Sequence, residues 1–315
     1  MSRVDYQFQT VTRIYTINLT TGVGVNVLKR LHLLFILLIA IVVLSACGDS
    51  NEEDADSDET DDEKWEEIQN EGELVVGTSG TLIGGSYYDG EEESEDQLTG
   101  YEVETMREIA ERLDLDISFE IIGVDNVMAA IDSGRIDISA ATITDKREED
   151  FNFSDPHKYS YVTMAVREDD NSGIDSLEDL EGKAAGGGAT TIYSQIAEQY
   201  GAEVVTYGNA PNEAYLRDVH NGRTDVVIND YFLTKFGVAG FPDFDIHLHP
   251  DLKFHPTETG VIMPKDADVL KEEINSVLDE MREDGTLSEL AIQFYEEDAS
   301  QVPEGEIEEV EGLEL

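Results

Sequence analysis

GRIDISAATITDKREEDFNFSDPHK, residues 134–158, is the stretch that decides the fold. Gly134 and Arg135 close a helix that begins near Val127. Ile136 to Ile143 is an apolar, partly alternating run of strand length. Thr142 and Thr144 then place hydroxyls at the strand's carboxyl end, and Arg147 follows three residues later. In open α/β sheets, ligands sit outside the carboxyl ends of the strands. Two hydroxyls and a guanidinium there suit a carboxylate, because the planar fork of arginine binds it bidentately. The competing reading is a surface arginine paired with Glu148, Glu149 or Asp150.

Upstream, Leu74 to Gly77 reads as a short buried strand and Ser79 to Gly85 as a glycine-rich loop at its end. Residues 89–99 are an acidic insertion, expected as a surface hairpin. Val103, Met106, Ile109, Ala110 and Leu113 share one helical face, and Leu115, Ile117, Phe119 and Ile121 alternate as a strand. The β-α-β-α-β order predicts a mostly parallel sheet. Downstream of the apolar run Val162 to Val166, the turn cluster Asp169, Asp170, Asn171 and Gly173 is the expected crossing into a second lobe. That lobe repeats the logic. Gly222-Arg223-Thr224-Asp225 precedes the strand Val226-Val227-Ile228, as Gly134-Arg135-Ile136-Asp137 precedes its own strand. Asp230 stands just past the second strand, where an acid facing a cleft can receive an ammonium or cap the next helix. Glu258 to Pro264 reads as a return strand to lobe one, and residues 267–284 as an amphipathic helix.

Several of these pieces form a known set. Thr142-Ile143-Thr144-Asp145-Lys146-Arg147, then Phe151 and Phe153-Ser154-Asp155-Pro156, resembles the signature of family 3 extracellular solute-binding proteins, the amino-acid receptors of ABC importers. Gly100-Tyr101-Glu102-Val103-Glu104 resembles their Gly-Phe-Asp-Val-Asp segment, and Asp284-Gly285-Thr286 their closing Asp-Gly-Thr. The resemblance spans residues 70–297. It implies a type II periplasmic-binding-protein-like fold: two α/β lobes joined by a two-strand hinge. Lobe one would be 70–165 and 258–297, and lobe two 166–257. It also implies a free amino acid as ligand and ABC permease subunits as partners, with a monomer and no cofactor. Arg147 would clamp the ligand carboxylate, and the amides of Thr190 and Thr191 would add donors at a helix start. Thr142 and the carbonyl of Ala140 would meet the ammonium, with Asp230 opposite, as the family places its ammonium-binding aspartate. Ser79 and Tyr87 complete the expected ligand-binding set. The chain departs from the family at Leu82-Ile83-Gly84-Gly85, at Val124 and at Thr190, so the usual aromatic sandwich is not expected. Tyr193, Tyr200-Gly201-Ala202-Glu203 and Asn229-Asp230 resemble the branch for cystine or polar amino acids.

The formal charge is −51, from 71 acids against 20 bases. This excludes a general nucleic-acid binder, which needs a basic face, and reads as adaptation to salt or alkaline surroundings. The single cysteine, Cys47, forbids an internal disulfide. It sits in Leu44-Ser45-Ala46-Cys47-Gly48, after Lys29, Arg30 and the apolar run Leu31 to Leu44, which is short for a membrane span. The pattern resembles a bacterial lipobox, so residues 1–46 are expected to be a signal peptide with an over-extended start. Cys47 would be the lipidated residue, anchoring the protein on the outer face of the cell membrane. Residues 47–69 would form an acidic disordered tether and 298–315 an acidic tail. His247, His249 and His255 lack the spacing of a metal site, and none is expected. Two other readings stay open: a sensory lipoprotein, and a cyclohexadienyl-dehydratase-like enzyme using Glu258 or Asp230, for which no nucleophile–base pair is visible.

Overall fold

One mixed sheet runs through both halves of the molecule, in a computed structural model that describes residues 63–90, 93–208 and 210–313. Cys47 and the expected signal peptide lie outside the described residues. In chain order the elements are α1 (Glu63–Glu71), β1 (Glu73–Thr78), β2 (Thr81–Leu82), β3 (Ser86–Tyr88), β4 (Leu98–Thr99), α2 (Tyr101–Arg112), β5 (Asp116–Ile121), α3 (Val127–Asp132) and β6 (Ile138–Thr142). There follow α4 (Asp145–Asp150), β7 (Phe151–Phe153), β8 (Lys158–Arg167), β9 (Ala184–Gly187), α5 (Ile192–Gln199), β10 (Glu203–Thr206), α6 (Asn212–His220) and β11 (Val226–Asp230). The last are α7 (Tyr231–Gly240), β12 (Ile246–Leu248), β13 (Phe254–Pro264), α8 (Asp268–Asp284) and α9 (Thr286–Tyr295).

The sheet order is β10-β9-β11-β8-β13-β6-β1-β5. Parallel pairs occupy its two ends, while every pair involving β8 or β13 is antiparallel. The mostly parallel sheet expected from the β-α alternation is therefore a mixed one, because the two long strands return in opposite directions through its middle. Lobe one packs α1, α2, α8 and α9 over β1 and β6, with Leu74, Met106, Ile109, Ile138, Ile274 and Leu278 buried together. Lobe two has its own core of Met164, Ile174, Leu180, Ile196, Val226 and Ile228.

The chain changes lobe inside β8, not at the turn cluster. Residues 158–162 of β8 pair with β13, whereas Val162 to Val166 pair with β11 and pack in the second core. The turn at 169–173 lies wholly beyond the crossing.

The repeated helix-Gly-Arg-x-Asp-strand unit is a real structural echo. Gly134 and Gly222 both end their helices with positive φ, 67° and 68°. The N–H of Asp137 donates to the carbonyl of Val75 and its carboxylate accepts the N–H of Val75, each at 2.8 Å. Asp225 makes the same reciprocal pair with Ala184, at 2.7 and 3.0 Å. Each aspartate thus pins the start of the neighbouring parallel strand.

Two further expectations are corrected, for the tether and the tail, and the hairpin expected at 89–99 is found. The tether ends before Glu63, because α1 buries Trp65 and Ile68 against lobe one. The acidic insertion is a hairpin, with Tyr88 opposite Leu98, that forms a small separate sheet with β2. The C-terminal segment is not a free tail. Ala299 O accepts the N–H of Tyr159 at 2.8 Å, and Glu308 O accepts the N–H of His255 at 2.7 Å. Val310 is buried in the lobe-two core, its N–H donating to Nδ1 of His255 at 3.2 Å. His255 holds φ at +46° beside a bulge in β13, which turns its backbone N–H toward the incoming segment. Burying Val310 offsets the acidity that had made the segment read as unable to fold.

Candidate ligand-binding cleft

Between the lobes lies a cavity of about 630 Å3. The carboxyl ends of β1 and β6 open onto it from lobe one, and those of β9 and β11 from lobe two. Its shape at the β1 side follows from one glycine. Gly100 has φ +125°, and a Cβ there would come within 2.3 Å of the carbonyl oxygen of Gly85. That closeness lets the carbonyls of Gly84 and Gly85 accept the N–H groups of Tyr101 and Glu102, starting α2 against the loop.

Ser79, Ala140, Thr142, Arg147 and Thr191 all line the cavity. Thr144 caps α4 by accepting the N–H of Arg147 at 3.3 Å, which sets the arginine at the cleft edge. The guanidinium donates to Thr142 O at 2.8 Å and to Thr190 O, across the cleft, at 3.1 Å. Burial pulls its pKa below the usual value, with the Tyr193 hydroxyl beside it acting the other way. It forms no ion pair with Glu148, Glu149, Asp150 or any other carboxylate among the described residues, so the surface-pair reading fails. Two of its five N–H bonds are committed to carbonyls. The others are available to a ligand.

Tyr87, Thr190 and Asp230 are placed differently from expectation. Strand alternation turns Ser86 and Tyr88 to the cavity and Tyr87 away. Thr190 sits at the exposed lip, where its N–H and hydroxyl both donate to Asp125 at 2.9 Å. Thr191 caps α5, accepting the N–H of Ser194 at 3.2 Å. Asp230, 1% exposed, lies just behind the cavity wall. It caps α7 through Leu233 N–H at 3.1 Å, so the capping role is realised.

Behind that wall is a network that sequence reasoning missed. Lys158 lines the cavity with its ammonium 3.2 Å from Glu102 and 3.6 Å from Asp230. Nε2 of His157 lies 2.6 Å from the other oxygen of Glu102. Burial alone would push Glu102 up, but the Lys158 and His157 charges and hydrogen bonds overcome it and hold the carboxyl at about 2. Burial likewise pulls Lys158 down, and Asp230 and Glu102 more than compensate, keeping it well above its ordinary range. Tyr193 reaches the same spot from lobe two; burial and the Asp230 carboxylate raise its pKa, so it remains a neutral phenol. The available signal was a lysine opening a strand whose later part, Val162 to Val166, is largely apolar and buried. The histidines at 247, 249 and 255 serve backbone and side-chain hydrogen bonds: His247 with Asn171, His249 with Ile174 O, and His255 with Val310 N–H.

Two lobes joined by crossing strands, with a charged cleft at the strand ends, give the chain a place where a small ligand can be enclosed. Residues 74–297 match the family model for bacterial extracellular solute-binding proteins, family 3, and the chain belongs to that family. It is 47% identical over 273 residues to the probable ABC transporter extracellular-binding protein YckB of Bacillus subtilis, covering 86% of this chain and 93% of YckB. A crystal structure of YckB superposes with a TM-score of 0.62, covering 78% of this chain and 99% of that one. The L-cystine-binding protein TcyA of the same organism is 31% identical over 278 residues, covering 87% of this chain and all 100% of TcyA. AbpA from Streptococcus pneumoniae, an amino acid ABC transporter substrate-binding protein solved with L-arginine, is 25% identical with a TM-score of 0.66, covering 75% of this chain and 98% of that one. Among the described residues, no helix is long and apolar enough to cross a membrane.

Proposed function

We propose that the protein binds a free amino acid, cystine or another polar one, between its lobes and delivers it to an ABC importer without transforming it. The observation that carries this reading is Arg147: a largely buried guanidinium with no carboxylate partner among the described residues, at the end of β6 and facing the cavity. A ligand carboxylate would supply the missing counter-charge. Asp230, just behind the cavity wall beside Lys158, would receive the ammonium. Arg147 on one side and the carboxylates of Glu102 and Asp230 on the other put both signs of charge at the cleft, which suits a zwitterion. A cavity of about 630 Å3 lies within the range of roughly 300–1,000 Å3 usual for small-ligand sites, so it has room for a ligand as long as cystine. The cystine named for TcyA and the arginine bound to AbpA support the class.

The test is a thermal-shift screen of the twenty amino acids and L-cystine in high salt. A ligand at a hundred times its dissociation constant should stabilise the fold by about 2.7 kcal/mol, raising the melting temperature by roughly 5–10 °C. No shift with any of them would overturn the reading. Asp230→Asn keeps the shape and removes the charge, so it should cost the bound amino acid about tenfold in affinity, or 1.4 kcal/mol, while a carboxylate lacking an amine is indifferent to the change. Equal losses for both ligands would reduce Asp230 to a helix cap.

The anchor belongs to the same proposal. With acyl chains on Cys47, the domain would be tethered to the outer membrane surface beside its permease. Labelled palmitate should enter the wild-type protein and not Cys47→Ser; equal labelling of both excludes the anchor.

A further inference from the structure

Apart from the crossing strands the lobes meet a second time, at two turns whose Val124 and Gly188 line the cavity while Asp125, Ala189 and Thr190 do not. The lobe-one turn before α3 carries Asp125, and the lobe-two turn before α5 carries Gly188, Ala189 and Thr190. Asp125 accepts the N–H of Thr190 at 2.9 Å, the hydroxyl of Thr190 at 2.9 Å and the N–H of Ala189 at 3.1 Å. The turns are in close contact: a Cβ on Gly188 would lie 3.1 Å from Cγ2 of Val124 and 3.3 Å from Oδ1 of Asp125. The carbonyl of the same Thr190 receives Arg147. Lobe two thus offers two N–H donors, a hydroxyl and a carbonyl, and lobe one answers each with a side chain of matching character.

We propose that Asp125 is a clasp: a built-in carboxylate that docks on the Ala189–Thr190 turn whenever the lobes meet, and so sets ligand affinity without touching the ligand. The reasoning is differential. Hydrogen bonds from N–H and O–H groups to an ionised carboxylate are the stronger, charge-assisted kind. These three join residues about sixty-five positions apart and on different lobes, so they break when the cleft opens. A contact made only in the closed state shifts the open–closed balance toward closure, liganded or not. Because a ligand leaves through the open state, the clasp acts mainly on release and little on capture. Thr190, which the family pattern assigned to the ligand, is spent on the clasp instead.

The decisive measurement is amide exchange on the full-length, ligand-free protein, so it is independent of the amino-acid reading. In Asp125→Ala, a peptide covering residues 184–191 should exchange about tenfold faster, by loss of a local closing contact. A peptide covering β1 should be unchanged. Asp125→Asn keeps an acceptor for Thr190 but loses the charge, and should fall between. Equal exchange of residues 184–191 in wild type and Asp125→Ala overturns the proposal. So does faster exchange confined to residues 123–133, which would make Asp125 a local support of lobe one. The ligand arm rests on the functional reading and uses L-cystine and L-arginine as probes. Whichever binds should dissociate about tenfold faster from Asp125→Ala, with association changed less than about threefold. If neither probe binds the wild type, the amino-acid reading suffers, and the exchange result still decides the clasp.

Discussion

Arg147→Ala is expected to weaken ligand binding by about 2–5 kcal/mol, roughly one and a half to three and a half powers of ten. The guanidinium is largely withdrawn from water and, among the described residues, bonded only to the carbonyls of Thr142 and Thr190. A carbonyl repays part of the lost hydration of a charge, whereas a carboxylate repays much more. The ligand would therefore collect energy already invested in burying the arginine. Arg147→Lys should fail almost as badly, because an ammonium is a point charge that cannot make the fork. Calorimetry that finds either variant at wild-type affinity removes Arg147 from the site. The substitution also takes away the bond to Thr190, so release should quicken as well.

The second large effect concerns stability. Lys158→Met should destabilise the fold by about 3–5 kcal/mol, because it leaves Glu102 and Asp230 buried without a cation. Adding Glu102→Gln to that variant should restore part of the loss, since one orphaned charge goes with it. The same network predicts the response to acid. A carboxyl held at about 2 in the fold and near 4.5 when unfolded contributes about 3 kcal/mol of stability at neutral pH. Its folded value is depressed, so the contribution is complete above about pH 4.5 and fades as pH falls toward 2. Urea unfolding at pH 7, 4 and 2.5 reads this directly. A wild-type midpoint that does not move, or a Lys158→Met midpoint equal to wild type, rules the network out as a source of stability.

The parts legible in the sequence were those with a short-range period. The face Val103, Met106, Ile109, Ala110 and the alternation from Leu115 to Ile121 announce α2 and β5, because the buried side of each element repeats at a fixed spacing. Arg147 was legible because a cation is conspicuous at the end of an apolar strand in so acidic a chain. The Gly-Arg-x-Asp echo was visible too, and its purpose, the reciprocal pairs of Asp137 with Val75 and Asp225 with Ala184, appears only when neighbouring strands are in place. Glu102, Lys158 and Asp230 could not be assembled beforehand, since each comes from a different element and only the hinge gathers them. Asp125 escaped for the same reason: a carboxylate in an exposed turn has no local sign of a partner on the other lobe. Composition misled at both ends of the domain. Charged runs hid the helix around Ile68 and the docking of Val310 in the C-terminal segment, where a few apolar residues suffice to dock an otherwise solvated stretch.

The docking of Val310 sets an order of assembly that differs from the order of synthesis. Domains fold as units while the chain emerges N-terminus first. The strands of lobe two are made midway, yet their core gains Phe254 and Val310 only near the end. Lobe one is in the same position, because α8 and α9 come after every strand of lobe two and still close over α2. Neither lobe can finish while the ribosome is still reading the middle of the message. Both cores are therefore completed by residues made late, Phe254 and Val310 in lobe two and α8 and α9 in lobe one.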